Sequence, residues 1–256
     1  MSKIKNAFKN KKAFIGFLTA GDPNADKTVE YILAMAETGA DIIEIGIPFS
    51  DPTAEGSVIQ AANLRALQGG MSTEKVFGIV ERVRVKSGVP LVFLTYINPV
   101  FKYGYERFFS RCERLGVDGI IIPDLPYEEK SEISDIAAAY GVDIIPLIAP
   151  TSENRIQSIA MAASGYIYIV SSMGVTGVRS EIKTDIKTIV QTVKAVSHVP
   201  VAVGFGISTP EQAKNISSVA DGVIVGSAIV RIIEQHGENA SDALKDYVRE
   251  MKKAMD

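Results

Sequence analysis

A glutamate set among isoleucines is the first group in this sequence that could do chemistry. Glu44 stands in the segment Asp-Ile-Ile-Glu-Ile-Gly at positions 41–46. Apolar neighbours predict a buried carboxyl, and burial raises the pKa of a carboxyl because it disfavours the charged form. A carboxyl that titrates near neutrality can both donate and accept protons. We therefore expect Glu44 to be a general acid and base, with a structural, paired carboxylate as the alternative.

Two more carboxylates follow in the loop at 48–56, Pro-Phe-Ser-Asp-Pro-Thr-Ala-Glu-Gly. Asp51 precedes a proline, which is typical of a turn. Glu55 is a candidate for a second acid or base. The alternative for Glu55 is an ordinary solvated loop glutamate, and its spacing leaves both interpretations open.

Glycine-containing segments near the C-terminus predict an anion site. The segments Gly-Phe-Gly-Ile-Ser at 204–208 and Gly-Ser-Ala at 226–228 each follow an apolar run. Small residues let backbone N–H groups approach an anion closely, and a helix N-terminus adds its dipole. A further segment, Gly-Val-Thr-Gly at 174–177, could close over the same anion. This pattern indicates a phosphate cradle.

The histidines, lysines and single cysteine argue against other chemistries. His198 falls at a helix–strand joint and His236 near the last helices, so we expect no metal site. No lysine ends a predicted strand, which disfavours a Schiff-base aldolase. Cys112 has no second cysteine to pair with, and we expect it to be a bystander in a helix. The residues favour acid–base chemistry on a phosphorylated compound.

The elements that position these residues are eight short apolar runs alternating with helical patterns. Most of the runs lack an apolar–polar alternation, which predicts strands buried on both faces, as in parallel sheets. Eight repeats over 256 residues predict an α/β fold, a single (β/α)8 TIM barrel spanning residues 1–256. An open doubly wound sheet is the alternative, but no G-x-G-x-x-G follows the first run. The runs are 13–19, 41–46, 89–95, 117–122, 142–148, 166–171, 199–203 and 222–225.

Three additions to a minimal barrel are predicted. Ile4, Ala7 and Phe8 fall on one face of an extra N-terminal helix that could cover the N-terminal mouth of the barrel. The loop after strand 2 is elaborated by two helices, 57–67 and 72–86, and the loop after strand 6 is long. Loops that follow strands lie on the catalytic face of this fold. The same face would hold Glu44 and the glycine segments.

Composition excludes several functional classes. The chain is 46% hydrophobic and 22% charged, with a net charge of −3, which gives no long-range attraction for nucleic acid or anionic lipid. No apolar stretch reaches membrane-spanning length, and the basic start lacks the apolar region of a signal peptide. We expect a cytoplasmic enzyme that binds neither nucleic acid nor membrane.

Several segments together resemble one family from end to end. The most specific is Glu-Ile-Gly-Ile-Pro-Phe-Ser-Asp-Pro-Thr-Ala-Glu-Gly at 44–56, supported by segments at 17–23, 96–99, 123–126, 166–168, 171–177 and 204–206. They are similar to the tryptophan synthase α subunit family. The resemblance implies a TIM barrel that cleaves indole-3-glycerol phosphate into indole and glyceraldehyde 3-phosphate, late in tryptophan biosynthesis. It implies no cofactor in this chain.

The resemblance also implies roles for individual residues. Glu44 would carry the proton transfers, and Glu55 would hold the indole N–H as positive charge develops on the ring. The substrate-binding positions would be Phe17, Leu94 and Tyr168 around the indole, Thr176 in the sixth loop, and Gly177, Phe205, Gly206, Gly226 and Ser227 towards the phosphate.

A partner is implied as well. Indole would pass to a pyridoxal-phosphate (PLP) β subunit in an α2β2 complex, and the positions that face β would be Pro48, Asp51, Asn98, Pro99 and Asp124. Two alternatives stay open. One is a stand-alone lyase that releases free indole, and the other is a weakly catalytic barrel that serves as an allosteric activator of β.

The sequence departs from the family pattern near the second carboxylate. That residue is usually aspartate and here it is Glu55, with Thr53 in place of leucine, Ser57 in place of proline, and Ser172 where some members have arginine. Glutamate adds a methylene, and a misplacement of about 1 Å can cost roughly a hundredfold in rate. We expect the activity to survive if the loop backbone has shifted to compensate.

Overall fold

Parallel β-strands form the centre of the molecule. The computed structural model describes residues 3–150, 153–170 and 186–256, apart from the side chains of residues 153 and 154. All strand pairs in this part of the chain are parallel. The strands are β1 (Ala13–Thr19), β2 (Ile42–Gly46), β3 (Leu91–Leu94), β4 (Gly119–Ile121), β5 (Asp143–Ile144), β6 (Leu147–Ile148), β7 (Ile167–Val170), β8 (Val201–Gly204) and β9 (Gly222–Val225).

The sheet closes on itself at the predicted fifth strand. Its order is β5-β4-β3-β2-β1-β9-β8-β7-β6, so the two ends of the sheet are consecutive in the chain. The run 142–148 therefore holds two short strands, one on β4 and the other on β7. Pro146 stands between them, and it has no N–H to donate to a ladder. This closure confirms the predicted TIM barrel, with each of the other seven runs holding one strand.

The helices surround the strands, and most were predicted from the sequence. Helices α5 and α11 were not among the predictions; α5 is short and carries Pro99 in its first turn, where proline is tolerated. The helices are α1 (Ile4–Ala7), α2 (Ala25–Glu37), α3 (Ser57–Gln68), α4 (Thr73–Arg84), α5 (Ile97–Tyr103), α6 (Tyr105–Leu115), α7 (Ser131–Ala139), α8 (Glu153–Met161), α9 (Ile186–Val196), α10 (Pro210–Ser217), α11 (Ser227–His236) and α12 (Ser241–Met255).

The predicted additions are largely present. Helices α3 and α4 both follow β2, as expected for an elaborated second loop. The sixth loop lies outside the described residues. Among the described helices, none is long and apolar enough to cross a membrane.

The interior of the barrel is plugged at its N-terminal mouth. Ile4 is fully buried, and Ala7 and Phe8 pack with it against the inward-facing strand residues, which confirms the predicted N-terminal helix. The backbone N–H of Lys3 donates to Asp118 at 2.7 Å and fixes the start of α1. Each fully buried aliphatic side chain contributes about 1.5–3 kcal/mol. With this mouth closed, the opposite ends of the strands are left to form a site.

Candidate active site

A cavity of about 890 Å³ occupies the C-terminal ends of the strands. This volume suits a small-molecule ligand, and apolar walls with a few polar groups are typical of such sites. Among the predicted site residues, its lining includes Phe17, Glu44, Glu55, Leu94, Asp124, Tyr168, Phe205, Gly206, Gly226 and Ser227. The structure therefore brings together side chains from both halves of the sequence.

Glu44 lies in the middle of β2 with 1% of its surface exposed. Burial raises the pKa of its carboxyl to about 7. This confirms the pKa expected from its apolar neighbours. The hydroxyl of Tyr166 donates to Oε1 of Glu44 at 2.5 Å, and this hydrogen bond partly offsets the effect of burial on the pKa. Glu44 is thus a fully buried carboxyl on the wall of the cavity, and its pKa lies near neutral pH.

Tyr166 is a site residue that the sequence analysis did not assign. It lies one residue before β7 and is fully buried in the barrel interior together with Tyr168. Successive side chains of a strand alternate between its two faces, so residues two apart share a face. The Tyr-Ile-Tyr spacing could therefore have placed both rings inside the barrel. It could not have identified Glu44 as the partner of Tyr166.

Glu55 is buried in the loop that leads into α3, with 6% of its surface exposed. The hydroxyl of Tyr96 donates to its Oε2 and accepts the N–H of Ala54 at 2.8 Å. Gln60 donates to the backbone carbonyl of Glu55 at 2.8 Å. Burial raises the pKa of Glu55, while the bond from Tyr96 opposes that rise. The interpretation of Glu55 as a solvated loop glutamate is therefore wrong.

Two glycine-containing turns, which the sequence predicted to form a phosphate cradle, line the cavity after β8 and β9. After β8, Phe205 and Gly206 have φ values of 75° and 80°, in the left-handed region. For phenylalanine this conformation costs on the order of 1 kcal/mol or more, and such strain is concentrated at ligand sites. After β9, Gly226 immediately precedes α11, whose first turn has no side-chain cap. The free N–H groups of that turn, with the helix dipole, suit an anion.

The aromatic residues of the cavity contact one another. The rings of Tyr168 and Phe205 meet edge to face, with centroids 6.1 Å apart. Phe17 is buried and Leu94 is half-buried in the cavity wall. Together these four side chains give the cavity an apolar compartment. Thr176 and Gly177, which the sequence predicted at this site, lie outside the described residues, as does Ser172.

The residues predicted to face a partner differ in exposure. Asp51, Asn98 and Asp124 are exposed, Pro99 is half-buried, and Pro48 is buried within the chain. Asp124 also lines the cavity and accepts the backbone N–H of Ile97 at 2.9 Å. The start of α5 is therefore tied to the loop after β4.

Two cations on the cavity wall were missed by the sequence analysis. Lys130 donates to the carbonyl of Ala162 at 3.1 Å, and burial lowers its pKa. Arg155 is paired with Glu128, at 2.6 Å. Both follow the ends of strands by several residues, on helical segments, so a search for lysines at strand ends could not find them.

Other expectations concern groups away from the cavity. Cys112 is fully buried in α6, which confirms its expected position in a helix, and burial raises the pKa of its thiol. Within the described part of the chain, no three His, Cys, Asp or Glu side chains are grouped as metal ligands would be.

Comparisons with known proteins agree with one another. The family model for the tryptophan synthase alpha chain matches residues 3–256. The tryptophan synthase alpha chain of Lacticaseibacillus casei is 53% identical over 256 residues, covering 100% of this chain and 96% of that protein. The crystal structure of tryptophan synthase subunit alpha from Legionella pneumophila is 34% identical with a TM-score of 0.90, covering 100% of this chain and 98% of that one.

A third relative belongs to a complex. A chain from the tryptophan synthase a2b2 complex of Pyrococcus furiosus has a TM-score of 0.86 and 37% identity, covering 94% of this chain and 98% of that one. Both structural matches agree with the barrel described above. Because the family model spans nearly the whole sequence and a named relative shares more than half of its residues, the chain belongs to the tryptophan synthase alpha chain family.

Proposed function

We propose that this chain cleaves indole-3-glycerol phosphate, the lyase reaction of its family, with Glu44 as the group that transfers the protons. The observation that carries this assignment is the position of Glu44. It is buried on the wall of a cavity that the predicted anion cradle also lines, and its pKa is raised to about 7. A carboxyl in that state serves equally well as acid and as base at neutral pH.

The proposed reaction uses Glu44 twice. The protonated carboxyl donates to the ring carbon that bears the glycerol phosphate chain, which converts the indole into a leaving group. The resulting carboxylate removes the proton of the adjacent hydroxyl. The carbon–carbon bond then breaks, its electron pair returns to the ring, and the hydroxyl carbon becomes the aldehyde. Indole leaves, and Glu44 is again protonated.

Other described residues bind and orient the substrate in this proposal. Glu55 accepts the indole N–H and stabilises the positive charge that develops on the protonated ring. Phe17, Leu94, Tyr168 and Phe205 enclose the ring, because their apolar surfaces line the same compartment of the cavity. The cradle of Gly206, Gly226 and Ser227 holds the phosphate through backbone N–H groups and the dipole of α11. Thr176 and Gly177 are proposed to close over it.

We assign the partner role to a β subunit that carries PLP, in an α2β2 complex, with no cofactor in this chain. Its docking surface would include Asp51, Asn98, Pro99 and Asp124, with Pro48 beneath. The exposure of Asp51, Asn98 and Asp124 supports this assignment, and α5 presents two of the five positions.

One experiment separates the competing functions. The purified chain receives indole-3-glycerol phosphate with and without β subunit, and indole release is followed. Slow release that β accelerates supports the proposal, whereas fast release by the chain alone supports a stand-alone lyase. No release in either condition, with β still activated, supports an allosteric scaffold.

Two variants test the carboxylates in the same assay. Glu44→Gln should abolish indole release, and Glu55→Ala should lower it by roughly a hundredfold, the size expected when a charged group at a reacting centre is lost. If Glu55→Ala left release unchanged, Glu55 would have no role in the reaction.

A further inference from the structure

Tyr96 forms a hydrogen bond with the carboxylate of Glu55. Its hydroxyl donates to Oε2 of Glu55 and accepts the N–H of Ala54. The hydroxyl therefore forms two hydrogen bonds with the same loop, one as donor and one as acceptor. Tyr96 is 3% exposed. A buried hydroxyl held at two points has little freedom, and so the oxygen atom that Glu55 contacts is fixed in place.

The contact with Tyr96 depends on the length of the glutamate. An aspartate on the same backbone would end about one C–C bond, ~1.5 Å, farther from the tyrosine hydroxyl. That gap exceeds what a hydrogen bond tolerates. On this backbone, the extra methylene at position 55 therefore lets the carboxylate reach Tyr96.

Three segments proposed to face the partner converge on Tyr96. Its ring packs against Phe49, within the segment 48–51, with centroids 5.2 Å apart. Tyr96 itself is the N-cap residue of α5, the helix that carries Asn98 and Pro99. The next residue, Ile97, donates its N–H to Asp124 at 2.9 Å. Each of these segments therefore either contacts Tyr96 or contacts the residue next to it.

We propose that Tyr96 is the positioning residue of Glu55 and the link between that carboxylate and the surface on which the partner docks. The proposal rests on the proposed function of Glu55 as the group that holds the indole N–H. Tyr96 touches no reacting atom in this scheme. It acts by setting where the Glu55 carboxylate lies, and a partner bound to α5 or to residues 48–51 acts on Glu55 through it.

The first test is independent of catalysis. Tyr96→Phe keeps the ring and the start of α5 but removes the hydroxyl. Tyr103→Phe is the matched control, because Tyr103 ends the same helix and bonds the exposed Glu74 at 2.7 Å, away from the cavity. The carboxyl carbon of Glu55 is followed by ¹³C NMR against pH and assigned with Glu55→Gln.

The bond from Tyr96 lowers the pKa of Glu55, so its loss in Tyr96→Phe should raise that pKa relative to the wild type and to Tyr103→Phe. An identical titration of Glu55 in the wild type and in both variants would overturn the proposal.

The second test uses indole release. Tyr96→Phe is expected to lower kcat about tenfold with a smaller change in KM, as for loss of a hydrogen bond to a charged group that acts in the transition state. In a Glu55→Ala background the same substitution should change kcat less than about twofold, because a residue that acts through Glu55 has nothing left to position. A full tenfold loss in that background would overturn the proposal.

The link to the partner has its own measurement. The factor by which β accelerates indole release is compared among the wild type, Tyr96→Phe and Tyr103→Phe. We expect that factor to fall at least threefold in Tyr96→Phe alone, and an unchanged factor would overturn the link. If the wild type released no indole in any condition, the proposed function would fail. The ¹³C titration, repeated with β added, would then still decide whether Tyr96 positions Glu55 and transmits docking.

Discussion

The hydroxyl of Tyr166 lies 2.5 Å from Oε1 of Glu44, and both residues are fully enclosed in the barrel. Burial raises the pKa of each group, because the charged form of a buried group is not solvated by water. The tyrosine remains the donor and fixes the orientation of the Glu44 carboxyl, and in the proposed function the second oxygen of that carboxyl faces the substrate. A single hydrogen bond thus limits both the direction and the acidity of the proposed catalytic group.

Removing that hydrogen bond should shift the pH dependence of the reaction. In the proposed scheme Glu44 starts protonated, so kcat/KM should fall as the pH rises through about 7. The bond from Tyr166 lowers the pKa of Glu44, so Tyr166→Phe should move this decline to higher pH. The measurement is kcat/KM for indole release between about pH 5.5 and 9.5, a range that includes the pKa of Glu44 and extends above it to reveal the upward shift.

Tyr31→Phe is the control for this shift, because Tyr31 is also buried but bonds the backbone of Gly237, outside the cavity. A decline at the same pH in the wild type and in Tyr166→Phe would show that Glu44 does not govern the profile through this bond.

The buried carboxyl of Glu44 should also make the folded chain less stable at alkaline pH. A pKa raised from 4.5 to about 7 means that the folded state binds this proton more tightly than the unfolded state. The stability it provides is complete below pH ~4.5 and is lost as the pH rises through about 7. At ~1.4 kcal/mol per pH unit, the loss is about 3 kcal/mol.

Glu44→Gln removes this dependence and should raise the free energy of unfolding by about 2–3 kcal/mol at pH 8, with little change near pH 4.5, as read from urea denaturation. Glu74→Gln is the contrasting variant. Its exposed carboxylate is stabilised by Tyr103 and Arg111, so its loss should not stabilise the chain at pH 8. If Glu44→Gln were no more stable than wild type at pH 8, the carboxyl would not be buried as described.

Gly204 has no side chain, and the ring of Tyr168 occupies the space where a side chain would lie. A Cβ atom at position 204 would lie 2.5 Å from the hydroxyl oxygen of Tyr168 and 2.7 Å from its nearest ring carbon. Gly204→Ala should therefore displace the ring and raise KM by roughly tenfold, since a shifted wall misplaces the substrate. Adding Tyr168→Phe removes the nearest atom and should recover part of the loss.

Gly78→Ala is the matched control, because a Cβ there meets nothing within 4 Å. It should leave KM unchanged and stabilise α4 by about 0.5–1 kcal/mol. Equal kinetic effects of the two alanines would argue against a role for the Gly204–Tyr168 contact.

Ser227 should contribute to binding rather than to chemistry. It is the first residue of α11 and lines the cavity beside Gly226, in the proposed phosphate cradle. In addition to its backbone N–H, Ser227 has a hydroxyl that we expect to donate to the phosphate, and loss of such a donor costs about 1.5 kcal/mol, or roughly tenfold. Ser227→Ala should thus raise KM about tenfold with kcat nearly unchanged, as for an interaction made equally in ground and transition states.

Ser241→Ala, at the first residue of α12, is the control, because its hydroxyl donates to Glu30 at the surface. Steady-state kinetics of indole release distinguish the two. A fall in kcat for Ser227→Ala without a change in KM would place Ser227 in the chemical step instead.

Features encoded locally were predictable from the sequence, and features that join distant segments were not. Apolar runs and helical periodicity predicted the barrel, and the isoleucines around Glu44 predicted its burial. The partners of the two carboxylates could not be predicted, because Tyr166 is 122 residues from Glu44 and Tyr96 is 41 residues from Glu55. Only the closed barrel brings these pairs together.

Some misses had a local signal. Pro146 in the middle of the fifth apolar run indicated that a single continuous strand could not form there. The local signal for helix α5 was weaker. Seven residues with a proline in the first turn show too little periodicity to distinguish a helix from a loop.

The break between β5 and β6, at residues 145–146, divides the barrel into two halves that carry different groups of the candidate site. Strands β1–β5 precede it and carry both carboxylates, their loops and the proposed docking positions, while β6–β9 follow it and carry the cradle and Tyr168. The halves are also joined along β1 and β9. In the proposed function, the first half carries out the proton transfers and contacts the partner, and the second half binds the phosphate. Catalysis would then require the two halves to stay aligned both at the break and along the β1–β9 pair.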